Sequence, residues 1–186
     1  LPVDPIGFID EQLAALADTP LVAGFNVRTT TLDPLSEAAA VCADHDAILE
    51  VNAHCRQDEM CAAGAGETLL RNPERLCEQV RTAREAGATV SVKVRAEVDG
   101  VSLPSLARDL DAAGATYLHV DAMDSESVIA DIAEQTTATI IANNEVRDRD
   151  SVVEYLSYGA DVVSVGRPSD DPRVLSRVKA AAEEWV

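Results

Sequence analysis

The sequence predicts an α/β chain: a (β/α)8 TIM barrel of which about six βα units are present. Three observations point there. Six short apolar stretches alternate with helix-like stretches. Each apolar stretch closes on polar residues, the layout of a barrel whose chemistry sits at the carboxyl ends of its strands. Three helix exits repeat a small glycine motif, Ala86-Gly87-Ala88, Ala113-Gly114-Ala115 and Tyr158-Gly159-Ala160. Glycine suits the left-handed position that follows a helix. Gly114 follows Gly87 by 27 residues and Gly159 follows Gly114 by 45, about two shorter units, which is the internal period of a βα array.

In chain order, residues 5–18 read as an amphipathic helix that ends before Thr19-Pro20. Strand 21–27 follows and closes on Asn26. Asp33 is expected to cap a helix opening at Pro34, a favoured first helical position. Strand 47–52 closes on Asn52 and leads into a long irregular stretch, 53–67, containing Gly64 and Gly66. Asn72 is expected to cap a helix with Pro73 at its first position. Strand 89–95 closes on Lys93 and Arg95. A helix near 102–113 and strand 116–121, with His119 and Asp121, come next. A helix near 125–135 precedes strand 139–143, which closes on Asn143 and Asn144. Helix 148–158, strand 161–166 with Gly166 and Arg167 at its end, and helix 171–184 complete the chain. Parallel strands joined by right-handed helical crossovers are the economical solution.

Six strands fall short of the eight that a closed barrel needs, typically in ~250 residues. The expected architecture is therefore one barrel domain over residues 1–186, incomplete at its N-terminal side, with its first two βα units outside this sequence. The chain opens on Leu1 rather than Met, in keeping with that. An open doubly wound sheet would need a glycine-rich phosphate loop after its first strand, and Ala23-Gly24-Phe25-Asn26 is a poor match. Strands 21–27 and 161–166 should be edges, and unpaired edges invite association. Upstream residues or a neighbouring subunit, that is a homo-oligomer, should cover them.

Composition narrows the setting. Apolar residues make up 47% of the chain, so it is globular. No apolar run reaches the ~18 residues of a membrane span, and no signal-peptide pattern opens the chain. The four cysteines contain no CxxC pair and read as reduced thiols of a cytoplasmic protein. Thirty-three acids against fifteen bases give a net charge of −18. Lys93 and Lys179 are the only lysines. The acids are spread over helices rather than gathered in a tail. Such a surface suits molar salt, which screens its self-repulsion, so a salt-loving source is expected. The same charge argues against broad nucleic-acid binding, which draws on basic patches.

Strand parity sorts the side chains. In Val90-Ser91-Val92-Lys93-Val94-Arg95 the valines share one face, and Ser91, Lys93 and Arg95 share the other. His119 and Asp121 lie together opposite Leu118 and Val120. In a barrel the polar set faces the lumen. Lys93 is then an inner-face lysine; the plainer alternative is a strand-edge lysine reaching solvent. Cys55, just past a strand end, is placed to act as acid or nucleophile, or else is a buried loop cysteine. His54, Cys55 and Cys61 fit no common zinc spacing, and no metal is expected. Asn143-Asn144 and Gly166-Arg167 end the last two strands, where barrels commonly hold a phosphate.

Asn52-x-x-Cys55, Gly64-Ala65-Gly66-Glu67-x-Leu69-Leu70-x-x-Pro73, Lys93-Val94-Arg95, His119 and Gly166-Arg167 together resemble the tRNA-dihydrouridine synthases. The chain is similar to a shorter, archaeal branch of TIM-barrel proteins related to them, over roughly residues 21–178, and more distantly to dihydroorotate dehydrogenase. The resemblance implies FMN at the barrel mouth. Lys93 and His119 would contact the flavin ring, with Asn26 where the family has a flavin-contacting glutamine. Asn143, Asn144, Gly166 and Arg167 would hold the phosphate. Asn52 would orient substrate, Arg95 would face it, and Cys55 would act as general acid. The implied activity reduces, or oxidises, a pyrimidine C=C bond in a tRNA uridine or a small pyrimidine, with NAD(P)H as electron donor. A dihydroorotate- or dihydropyrimidine-type dehydrogenase and a non-catalytic barrel binding a phosphorylated ligand are the alternatives. Two departures stand out: His54-Cys55-Arg56 replaces the family's Gly-Cys-Pro, and His119-Val120-Asp121 replaces its His-Gly-Arg.

Overall fold

A computed structural model describes residues 2–185. Six strands form one sheet: β1 (Gly24–Val27), β2 (Ile48–Asn52), β3 (Thr89–Arg95), β4 (Tyr117–Asp121), β5 (Thr139–Asn143) and β6 (Val162–Ser164). They pair in sequence order and every pairing is parallel. The helices are α1 (Pro5–Ala14), α2 (Leu32–Asp44), α3 (Asp58–Ala62), α4 (Pro73–Glu85), α5 (Leu103–Ala113), α6 (Val128–Ala133), α7 (Arg149–Ser157) and α8 (Pro172–Trp185). Two short 3-10 helices, Gly66–Arg71 and Arg167–Asp170, complete the set. The architecture is a partial (β/α) barrel. Among the described residues β1 and β6 pair on one side only, so they are its two edges.

Edge position explains where the strands fall short of expectation. Leu21 and Val22 lie outside β1 and are 71% and 77% exposed. They have no strand to pair with on their outer side. The last strand shrinks to Val162–Ser164 for the same reason. Two other segments also differ from the sequence reading. Helix α2 begins at Leu32 behind Thr31, so Asp33 lies inside its first turn and does not cap it. There the acid still favours the helix through the dipole. The stretch 53–67 is not wholly irregular, because it contains α3 and leads into the first 3-10 helix. Elsewhere local chemistry acts as expected. The Asn72 side chain accepts from Arg75 N–H at 3.2 Å and caps α4. Gly87, Gly114 and Gly159 all adopt positive φ, at 97°, 102° and 96°.

The core lies between the sheet and the helical layer. Val90, Val92, Leu118 and Val120 on the sheet are 1% exposed or less, as are Leu35, Leu76, Val80 and Leu110 on the helices. Each such side chain stabilises the fold by about 1.5–3 kcal/mol. The opposite face carries side chains in rows set by the parallel register. Asn26, Glu50 and Ser91 are partners across β1–β3. Asn52, Lys93 and His119 form the next row across β2–β4. Arg95, Asp121, Asn143 and Ser164 form the row at the carboxyl ends of β3–β6.

Candidate active site

The period-2 alternation that buries the valines turns Ser91, Lys93 and Arg95 to the inner face. There Lys93 meets His119: Nζ lies 3.3 Å from His119 Nε2. His119 Nδ1 lies 2.8 Å from Glu50 Oε2. Glu50 also accepts from Ser91 Oγ at 3.0 Å and from Asn26 Nδ2 at 2.7 Å. Burial pushes its carboxyl upward, but the hydrogen bonds from His119, Asn26 and Ser91 prevail and hold it at about 2. Sequence reasoning passed over Glu50. The signal was its parity: it stands two residues before Asn52, on the same face.

Asn26 is less free to meet a ligand than its motif position implies. Its Nδ2 is committed to Glu50, and its Oδ1 accepts from Asn52 Nδ2 at 2.8 Å. Asn52 Oδ1 in turn accepts the backbone N–H groups of His54 and Cys55, at 3.0 and 2.9 Å. The end of β2 thereby fixes where Cys55 emerges. The Cys55 thiol receives Arg28 Nη1 at 3.2 Å and points its own hydrogen to Gln57 Oε1 at 3.5 Å. Arg28 did not figure in the sequence reading, because it lies just beyond β1 and far from Cys55 along the chain. From behind, Glu67 N–H donates to Cys55 O at 2.8 Å.

Arg95 is 6% exposed and donates from Nη1 to Glu67 Oε2 at 2.6 Å. Its buried Nε has no hydrogen-bond partner among the described residues. At the end of β4, Asp121 Oδ2 lies 2.6 Å from His54 Nε2, while Oδ1 accepts Met123 N–H at 3.2 Å. Burial opposes ionisation of Asp121, but the His54 and Met123 hydrogen bonds and the charges of His54 and Lys93 hold it below the usual carboxylate range.

The remaining predicted residues meet in one cleft of about 590 Å³, lined by Asn143, Asn144, Gly166 and Arg167 together with His54 and Asp121. Arg177 adds further positive charge to it, while Arg147 there is ion-paired with Glu145. The two asparagine amides hold the frame: Asn143 Nδ2 donates to Ser164 O at 3.1 Å, and Asn144 Nδ2 to Met123 O at 2.7 Å. The backbone here is constrained. Asn144 and Glu145 both have positive φ, at 107° and 52°, which costs a non-glycine residue stability unless its surroundings enforce it. Tyr155, 2% exposed, supplies that: its hydroxyl lies 3.0 Å from Asn144 O and 3.3 Å from Asn143 O.

A family model described as dihydrouridine synthase (Dus) matches residues 18–185. The chain belongs to the dihydrouridine synthase family. An uncharacterized protein of Methanocaldococcus jannaschii is 29% identical over 86% of this chain and 64% of its own length. The tRNA-dihydrouridine(16) synthase of Escherichia coli K12 is 32% identical over 70% of this chain and 46% of its own. The chain therefore spans about half to two thirds of the length of these curated relatives. Among solved structures, a FabK variant from Thermotoga maritima aligns with a TM-score of 0.61 over 94% of this chain and 52% of that one. At 16% identity that likeness is one of fold. No helix among the described residues is long and apolar enough to cross a membrane.

Proposed function

We propose that this chain carries the site of an FMN-dependent oxidoreductase of the dihydrouridine-synthase type, which reduces (or oxidises) a pyrimidine C=C bond with Cys55 as general acid. The observation that carries the reading is the inner-face row of Asn52, Lys93 and His119 beside a Cys55 whose backbone N–H is held by Asn52, in a chain of this family.

The residues present fit FMN. The phosphate end suits the cleft at Asn143, Asn144, Gly166 and Arg167. A Cβ added at Gly166 would stand 3.7 Å from Asn143 Nδ2 and fill the space between the two strand ends. Arg167 makes no ion pair among the described residues, so its charge is available to an anion. Lys93 and His119 would meet the ring. The chemistry FMN supplies when bound is hydride delivery to one carbon of the C=C bond. Cys55 Sγ delivers the proton to the neighbouring carbon, with Arg28 and Gln57 as its hydrogen-bond neighbours. Asn52 presents that thiol by gripping its backbone. Arg95, braced by Glu67, would face the substrate.

The tRNA-dihydrouridine synthases among its relatives support a uridine in tRNA as substrate, with a free pyrimidine as the second reading. The second reading draws on the acidic surface and on Asp121, which puts a carboxylate where the family motif carries an arginine. NAD(P)H as electron donor, a cytoplasmic and salt-rich archaeal setting, and homo-oligomerisation belong to the same proposal. Titration of the full-length protein with FMN in molar KCl tests it. Bound flavin absorbance is expected, and no binding at any salt concentration removes the flavin reading. Nucleotide analysis of tRNA from a deletion strain then separates the two substrates.

A further inference from the structure

One continuous hydrogen-bonded chain crosses the inner face of the sheet, and a single carboxylate sets its direction. Glu50 can only accept hydrogen bonds while ionised. Asn26 must therefore turn its Nδ2 toward Glu50 Oε1, at 2.7 Å. That leaves Asn26 Oδ1 to accept from Asn52 Nδ2, at 2.8 Å. Asn52 Oδ1 is thereby aimed at the Cys55 N–H, at 2.9 Å. On the other side Glu50 Oε2 must accept a hydrogen bond from His119 Nδ1–H, at 2.8 Å. His119 Nε2 faces the Lys93 ammonium at 3.3 Å. A proton on that nitrogen would oppose the ammonium, whereas a lone pair accepts from it.

We propose that Glu50 is the positioning residue of this site. Its carboxylate fixes His119 as the neutral tautomer protonated on Nδ1 and leaves Nε2 to hold the Lys93 ammonium. Through Asn26 and Asn52 it also orients the backbone of Cys55. The inference rests on the flavin reading only in that Lys93 and His119 are the groups facing the ring. Glu50 itself touches neither cofactor nor substrate; it acts through its neighbours. The side chains of Glu50 and His119 are 17% and 12% exposed, so water does not readily replace these bonds. A glutamine at position 50 has one acceptor oxygen and one NH2 group. It can satisfy Asn26 or His119 in the observed sense, but its NH2 confronts a donor on the other side.

Long-range ¹H–¹⁵N NMR of the full chain reads the tautomer directly. With three histidines in the sequence, single His→Gln variants assign the signals. The wild type should show His119 with a protonated Nδ1 and an unprotonated Nε2 at neutral pH. An Nε2–H tautomer or an imidazolium there overturns the proposal. Glu50→Gln should lose the single-tautomer pattern and change the rate of Cys55 alkylation by iodoacetamide, read by peptide mass, severalfold. It should weaken FMN about tenfold or more, the scale of a hydrogen bond to a charged group. A folded Glu50→Gln chain with wild-type His119 signals and Cys55 reactivity also overturns it. If that variant does not fold, the wild-type spectrum still decides. Failure of the wild type to bind FMN sinks the flavin reading and leaves the tautomer as the test of Glu50.

Discussion

His54 Nε2 lies 2.6 Å from Asp121 Oδ2, which ties the loop after β2 to the end of β4. Each lies in one of the two motifs at which the chain departs from the family pattern, and they have become partners. A histidine in place of glycine brings an imidazole to the cleft. An aspartate in place of arginine supplies the carboxylate that orients it. The two substitutions are intelligible together, as a pair that exchanges a positive charge at the strand end for a hydrogen-bonded dyad.

Asp121→Asn should loosen the loop that carries Cys55. The amide keeps an acceptor for Met123 but loses the charge that His54 bonds to. A loss of about 1–3 kcal/mol is expected at neutral pH, read by chemical denaturation. Because the folded carboxyl sits below its usual range, its contribution is present above the unfolded pKa and is lost as pH falls through the folded one. The gap between wild type and variant should therefore close in acid. A gap that stays constant with pH would show that the charge is not what matters.

Glu50 gives a second acid-linked effect. Its carboxyl drops from the ordinary 4.5 to about 2 on folding. A depressed carboxyl stabilises the fold fully above the unfolded pKa, and that share disappears as pH falls from about 4.5 to about 2. The difference corresponds to about 3 kcal/mol. Glu50→Gln should be destabilised by about this much near pH 7 and approach the parent near pH 2. Urea melts across the pH range check it. Parallel curves would remove the linkage.

Much of this was readable in the sequence, because a strand's period of two is hard to disguise. Val90, Val92 and Val94 against Ser91, Lys93 and Arg95 fix one strand's faces without any neighbour. The contacts between strands were less readable. Glu50 shares the parity of Asn52, yet in a chain with 33 acids an acidic residue reads as surface. His54 was weighed as a metal ligand beside Cys55, since its true partner, Asp121, lies 67 residues on. Arg28 reaches Cys55 only because β1 and β2 pair. Edge strands were overread for the complementary reason: Leu21 and Val22 are as apolar as any strand residue, yet they lie exposed beside an edge strand and outside β1.

Cys55→Ala should keep FMN binding and lose turnover by ~10²–10⁴-fold, the usual worth of a positioned acid. The thiol's contacts, Arg28 and Gln57, are both exposed side chains that can turn to water, so the fold should not suffer. Flavin absorbance with single-turnover kinetics separates the two effects. Turnover at the parent rate would make Cys55 a structural thiol.

The acidic surface predicts salt dependence. A net charge of −18 repels itself in dilute buffer, and molar KCl shortens the range of that repulsion to about 3 Å. Thermal melts should shift upward through a KCl series, by about 2–4 °C for each kcal/mol recovered. A flat or falling melting temperature would rule out salt adaptation.

Gly64 and Gly66 bracket Ala65 but should respond very differently to alanine. Both have positive φ, at 84° and 60°, a conformation that costs a residue with a Cβ about 1–2 kcal/mol. At Gly64 that is the whole effect, since an added Cβ meets nothing within 4 Å. At Gly66 the same atom would fall 2.4 Å from Cys55 O and 3.3 Å from Cys55 Cβ. The carbonyl cannot swing away cheaply, because it already accepts Glu67 N–H at 2.8 Å. Gly66→Ala must therefore push the Cys55 segment aside and break that bond, adding a further ~1–3 kcal/mol of overpacking. Gly64→Ala should cost about 1–2 kcal/mol in urea melts and leave the rate of Cys55 alkylation unchanged. Gly66→Ala should cost about 2–5 kcal/mol and change that rate. Equal costs for the two variants, with Cys55 reacting alike in both, would mean that the contact between Gly66 and Cys55 does not hold the thiol in place.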